Sequence, residues 1–93
     1  VERMRSLFRA LEEKTRLLAL LERVHKAGEM QIFIGHESDL SPGGDVTLVA
    51  SPYGPADRNL GTVGVIGPTR MNYQRIIPLV AFTAQVLSAA LEP

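Results

Sequence analysis

Three β-rich runs crowd the middle of this chain, at residues 30–34, 45–51 and 60–66, with connections too short to let neighbouring strands run parallel. A parallel crossover needs about a dozen residues or more, usually a helix. The connections here hold strong turn formers instead: Ser41-Pro42-Gly43-Gly44 before the second run, and Pro52 followed by Tyr53-Gly54-Pro55-Ala56-Asp57 after it. The runs therefore predict antiparallel neighbours. Met30, Ile32 and Ile34 alternate with Gln31, Phe33 and Gly35; Leu60, Thr62, Gly64 and Ile66 alternate with Gly61, Val63, Val65 and Gly67.

Helical periodicity brackets the strands. Met4, Leu7, Phe8 and Leu11 recur at the spacing of one buried stripe, which stops at Glu12-Glu13-Lys14-Thr15-Arg16 and resumes at Leu17, Leu18, Leu21 and Val24. Two helices with a joint, the second capped by Thr15, are preferred over one continuous rod. Gly28 after Lys26 is a stop signal. A last helix, beginning at Tyr73 or Ile76 and ending near Leu91, lines Ile76, Val80, Ala84, Leu87 and Leu91 on one face. Leu79, Phe82, Val86 and Ala90 widen its apolar surface beyond what one sheet contact requires. Pro78 is awkward in a helix begun at Tyr73, so a late start or a kink is expected. The whole predicts an α+β fold, an antiparallel sheet of about three strands flanked by N-terminal and C-terminal helices, as one segment over residues 1–93. A three-stranded sheet has two edges, and at least one needs covering by further strands or by a partner.

Composition narrows the function. Ten basic and ten acidic residues cancel, whereas a module binding nucleic acid on its own is usually basic. Residues 1–26 hold seven Lys/Arg against four acids and the remainder three against six, a split that fits solvated helix faces. No Cys is present, which removes disulfides and thiolate metal sites. The charged N-terminus does not read as a secretory leader, and the apolar stretch at residues 76–91 falls short of the roughly 20 residues that span a bilayer. A soluble chain is expected from the lack of a spanning stretch, a cytoplasmic one fits the lack of Cys, and the opening on Val1 rather than Met suggests a trimmed fragment.

Chemistry is sparse. His25 sits in the last turn of a helix, where it meets the helix dipole. His36 opens His36-Glu37-Ser38-Asp39, which invites a metal reading, but no second ligand cluster exists, and Ser38 or Asp39 capping a turn is the simpler reading. Glu12 and Glu13 are adjacent on a helix and do not face each other. Gly61, Gly64 and Gly67 match neither a dinucleotide fingerprint nor a phosphate loop. No catalytic, cofactor-binding, metal or DNA-binding residue is assigned, and no cofactor is expected. The informative stretch is Gly67-Pro68-Thr69-Arg70-Met71-Asn72-Tyr73. It reads as a strand ended by Gly and Pro, a helix capped by Thr69 or Asn72, and Arg70 either tying the corner to a carboxylate or offering a recognition surface.

Residues 60–73, Leu-Gly-Thr-Val-Gly-Val-Ile-Gly-Pro-Thr-Arg-Met-Asn-Tyr, closely resemble the strand-turn-helix motif of HrcA heat-inducible transcription repressors. Ile32-Phe33-Ile34-Gly35 followed by Glu37, and Thr47-Leu48-Val49-Ala50 with Tyr53, resemble the same family's strands, and the likeness is good over residues 30–83. Gly67, Pro68, Thr69, Arg70, Met71, Tyr73, Gly35 and Glu37 are the motif and interface candidates. The resemblance implies the C-terminal part of a GAF-like domain, with a winged-helix DNA-binding domain lying outside this chain. It also implies a homodimer on an inverted-repeat operator upstream of chaperone genes, and activity maintained by a GroEL-type chaperonin. Dimerisation and regulation form the leading reading; GAF-type small-ligand sensing is the alternative.

Overall fold

Strand pairing organises the molecule around its second strand. A computed structural model describes residues 2–92. Helices α1 (Glu2–Glu12) and α2 (Lys14–Ala27) precede β1 (Gln31–Phe33), a 3-10 turn at Gly35–Glu37, β2 (Val46–Tyr53), β3 (Gly61–Pro68) and α3 (Tyr73–Ala90). The sheet order is β1-β2-β3, all antiparallel, with Phe33 opposite Leu48 and Leu48 opposite Ile66. The α+β architecture is the one the periodicities imply.

Both faces of β2 are covered, so Val46 to Ala50 are all buried rather than alternating. Val46, Leu48 and Ala50 join Phe33, Ala10, Leu20 and Val24 in one core under α1 and α2, with Leu7, Leu17, Leu21 and Ile66 packed against it. The guanidinium of Arg23 lies 4.8 Å from the centre of the Phe33 ring and closes the β1 side. Thr47 and Val49 point to the other face, where α3 lies and buries Val80 and Ala84. Ser88 Oγ accepts the N–H of Gly54 at 3.0 Å, fastening the far end of α3 to the end of β2.

Several expectations need correction. The joint between the first helices falls at Glu13, one residue after α1, and Thr15 sits inside α2 without capping it. The stripe Met4, Phe8, Leu11 is exposed, not buried: α1 rolls so that Ala10 and Leu7 face the core, because Ala10 lets the helix approach the sheet closely. On β1, Phe33 turns inward and Ile32 and Ile34 outward. β2 does not stop at Pro52 but continues to Tyr53, with Pro52 opposite Thr62. This is allowed because β1 pairs only as far as Ala50, so Pro52 sits where β2 is itself an edge. β3 likewise runs through Gly67 to Pro68, which pairs with Val46 at the edge of the sheet. Helix α3 starts at Tyr73 and contains Pro78. The early start is held from outside by the Tyr73 side chain.

Gly28 ends α2 as anticipated, with φ +71° and its N–H bonded to the Val24 carbonyl at 3.1 Å.

Candidate functional site

The segment 67–73 folds into a corner held from three directions. The Thr69 N–H donates to the Asp45 carbonyl at 3.1 Å, prolonging the β2–β3 ladder past Pro68. Thr69 Oγ1 donates to the Gly44 carbonyl at 2.8 Å, crossing to the loop before β2. The Tyr73 hydroxyl bonds the Thr69 carbonyl and lies 3.2 Å from Thr47 Oγ1. Thr47 is fully buried, and its Oγ1 also accepts the N–H of Gly35 at 3.1 Å. One hydroxyl on the central strand thus links the Gly35 turn to the first residue of α3.

The turn at 34–40 is built the same way. Gly35 is buried with φ +57°, and a Cβ there would lie 2.8 Å from the Gly44 carbonyl oxygen. The Glu37 carboxylate accepts the Ile34 N–H at 3.1 Å, closing the turn locally. Ser38, 1% exposed, donates to the Gly35 and Val46 carbonyls and accepts from the Leu40 N–H. Ser38 is therefore the capping residue anticipated from the sequence, and Asp39 takes a positive φ of 54° instead. His36 is exposed, with its imidazole against Gly44, where a Cβ would lie 2.5 Å from Nε2.

Thus the structure brings Gly35, Thr69 and Tyr73 together through Thr47 and Gly44, and it places Glu37 at the other end of the same turn. Gly67 is buried beneath the Met71 thioether, a Cβ there falling 2.7 Å from Sδ. Neither proposed helix cap makes its bond: Asn72 occupies the N-cap position of α3 without a side-chain hydrogen bond, and Thr69 is committed to Gly44. Thr47 and Gly44 were hidden in the sequence. The available signal was a hydroxyl inside an otherwise apolar strand, which demands buried partners.

Arg70 stands apart. It is exposed and forms no ion pair among the described residues, so the carboxylate tie is not how this corner is held. With Arg3, Gly44, Asp45, Pro68 and Thr69 it lines an open cleft of about 300 Å³. Arg70→Ala is expected to change the stability of the isolated chain by less than about 0.5 kcal/mol, read from the urea midpoint.

The acidity of Asp45 is perturbed. Hydrogen bonds from the Ser41 hydroxyl first, and then Ser6, favour its carboxylate and hold it below the ordinary value of 3.8. Its contribution to stability is complete above pH 3.8 and is lost as pH falls through the lower folded-state value. Asp45→Asn should flatten the acid limb of a stability–pH profile; an unchanged limb would show that these bonds do not matter.

The amino-acid sequence has relatives. The chain is 55% identical over 91 residues to a heat-inducible transcription repressor HrcA of Anaeromyxobacter sp. (strain K), covering 98% of this chain and 26% of that protein. It is 49% identical over 90 residues to the protein of that name from Geobacter sulfurreducens, covering 97% of this chain and 26% of the relative. The Xanthomonas campestris protein so named is 48% identical over 93 residues, 100% of this chain and 27% of its own length. No solved structure matches. These sequence relatives are all named as transcription repressors. A family model described as the HrcA protein C terminal domain matches residues 1–77, and the chain belongs to the HrcA family. The likeness reaches further than residues 30–83 and takes in both N-terminal helices. The chain spans about a quarter of the length of these relatives. Among the described residues, no helix is long and apolar enough to cross a membrane.

Proposed function

We propose that residues 1–93 form a non-catalytic regulatory and dimerisation module of a cytoplasmic heat-inducible transcription repressor. The observation that carries this reading is near-complete alignment of the chain with repressors of that name, of which it makes up only about a quarter. DNA contact then belongs to a winged-helix domain elsewhere in the longer protein, in keeping with the zero net charge here. As a homodimer the protein would match the two-fold symmetry of an inverted-repeat operator, and a GroEL-type chaperonin would keep it active. Sedimentation velocity of the chain tests the dimerisation step directly. Self-association in the micromolar range is expected; a monomer at several hundred micromolar removes the reading. The chain alone should leave an operator duplex unshifted at physiological salt.

One observation favours small-ligand sensing as a second reading: the cleft of about 300 Å³ that pairs Arg3 with Arg70. A thermal-shift screen with nucleotides and small carboxylates decides it, since a sensor shows a saturable rise in melting temperature that Arg70→Ala abolishes.

A further inference from the structure

The turn after β1 and the corner before α3 are held to the sheet by hydrogen bonds far more than by packing. Within residues 35–44, Leu40 is the side chain that joins the apolar core. Open hollows of about 210 and 200 Å³ lie between this segment and the helices α1 and α2. From α2 it receives an exposed bond, Arg16 to the Asp39 carbonyl at 3.3 Å. Residues 69–77 contribute no fully buried side chain. Segments with few buried apolar contacts open at low free energy, well before the domain unfolds.

The bonds that do hold them are shared. The Gly35 N–H and the Tyr73 hydroxyl meet at Thr47 Oγ1, at 3.1 and 3.2 Å. Ser38 Oγ donates to the Val46 carbonyl at 2.9 Å, and the Thr69 N–H to the Asp45 carbonyl at 3.1 Å. Thr69 Oγ1 joins the two segments directly through the Gly44 carbonyl, at 2.8 Å. Releasing either segment takes partners from the other, so opening both costs little more than opening one. At the far end, Pro78 has no N–H for the Gln74 carbonyl. The first turn of α3 is thereby uncoupled from the part of the helix that buries Val80 and Ala84.

We propose that residues 35–44 and 69–77 open and close as a single latch on the Thr47 hydroxyl, hinged at Pro78. The sheet, α1, α2 and the remainder of α3 stay in place. Closed, the latch sets Gly44, Thr69 and Arg70 together along the open cleft. Open, it parts them. A contact that grips Gly44 and Arg70 together therefore also orders the turn around Gly35, and disorder in that turn weakens the contact by the same factor. The device depends neither on dimerisation nor on the identity of what occupies the cleft.

Native-state hydrogen exchange of the chain in sub-denaturing urea tests it. The hydrogen-bonded amides of Gly35, Leu40, Thr69 and Ile76 share one opening isotherm, with a shallower urea dependence than amides at the centre of β2. Tyr73→Phe, a change on α3, speeds exchange at Gly35 and Leu40 by the same roughly threefold to tenfold as at Ile76. Ser38→Ala, a change in the turn, speeds Thr69 and Ile76 alike. The Gly28 amide, bonded to the Val24 carbonyl, keeps its rate in both. Pro78→Ala restores the missing donor and slows Gly35 and Ile76 together. If Tyr73→Phe speeds Ile76 but leaves Gly35 unchanged, the two segments open independently and the latch is overturned. It is equally overturned if the four amides follow the global unfolding isotherm. Rates at Gly35 and Ile76 that ignore Pro78→Ala remove the hinge.

Discussion

Gly35→Ala is expected to lower stability by about 2–5 kcal/mol, whereas Gly28→Ala, at a residue that also has a positive φ, costs about 1 kcal/mol. Both glycines have positive φ, +57° and +71°, so both substitutions carry the left-handed penalty of an L side chain. Their surroundings differ. A methyl group added at Gly28 would find nothing within 4 Å, while at Gly35 the Gly44 carbonyl oxygen stands 2.8 Å away. That oxygen cannot easily retreat, because it accepts the Thr69 hydroxyl and its residue lies under the His36 ring. Moving it drags the corner that starts α3. For a domain of this size the larger loss corresponds to a fall in melting temperature of about 10–25 °C. Equal effects of the two substitutions, measured by urea denaturation, would mean that the Gly35 turn is not packed against the loop before β2.

Much of the architecture was legible because it follows from local rules. Loop length dictated antiparallel pairing, Gly28 marked the end of α2, and the broad apolar surface of α3 announced a flank that the sheet does not cover. The errors arose where tertiary context decides. The stripe Met4, Phe8, Leu11 has ideal helical spacing, but spacing does not say which way the cylinder rolls; Ala10, small enough for close approach, sets that. Pro52 and Pro68 read as strand ends because the sequence does not reveal that their missing N–H groups face no neighbour. At the corner, the motif drew attention to Thr69, Arg70 and Tyr73 without distinguishing their duties. Thr69 and Tyr73 are spent on holding backbone together, and Arg70 is not. The residue that joins them, Thr47, lies some twenty positions upstream and is visible as special only once burial is known.

Thr47→Val should therefore cost about 2–4 kcal/mol although it preserves shape almost atom for atom. Valine fills the same space and suits a strand at least as well. What disappears is the Oγ1 that accepts the Gly35 N–H at 3.1 Å and lies 3.2 Å from the Tyr73 hydroxyl. The Gly35 donor is buried, and nothing else is placed to receive it, so most of its desolvation cost appears in the folding free energy. Thr47→Ser, which keeps the oxygen and loses a methyl, should cost only about 1 kcal/mol. Tyr73→Phe removes one end of the same link and should also cost about 1 kcal/mol, because Tyr73 is only half-buried. The double variant Thr47→Val/Tyr73→Phe then loses less than the sum of the two by about 0.5–1 kcal/mol, since each change has already severed the shared contact. Additive effects would sever Thr47 from Tyr73 as a functional pair, and a neutral Thr47→Val would show that the buried hydroxyl is not what joins the Gly35 turn to the start of α3.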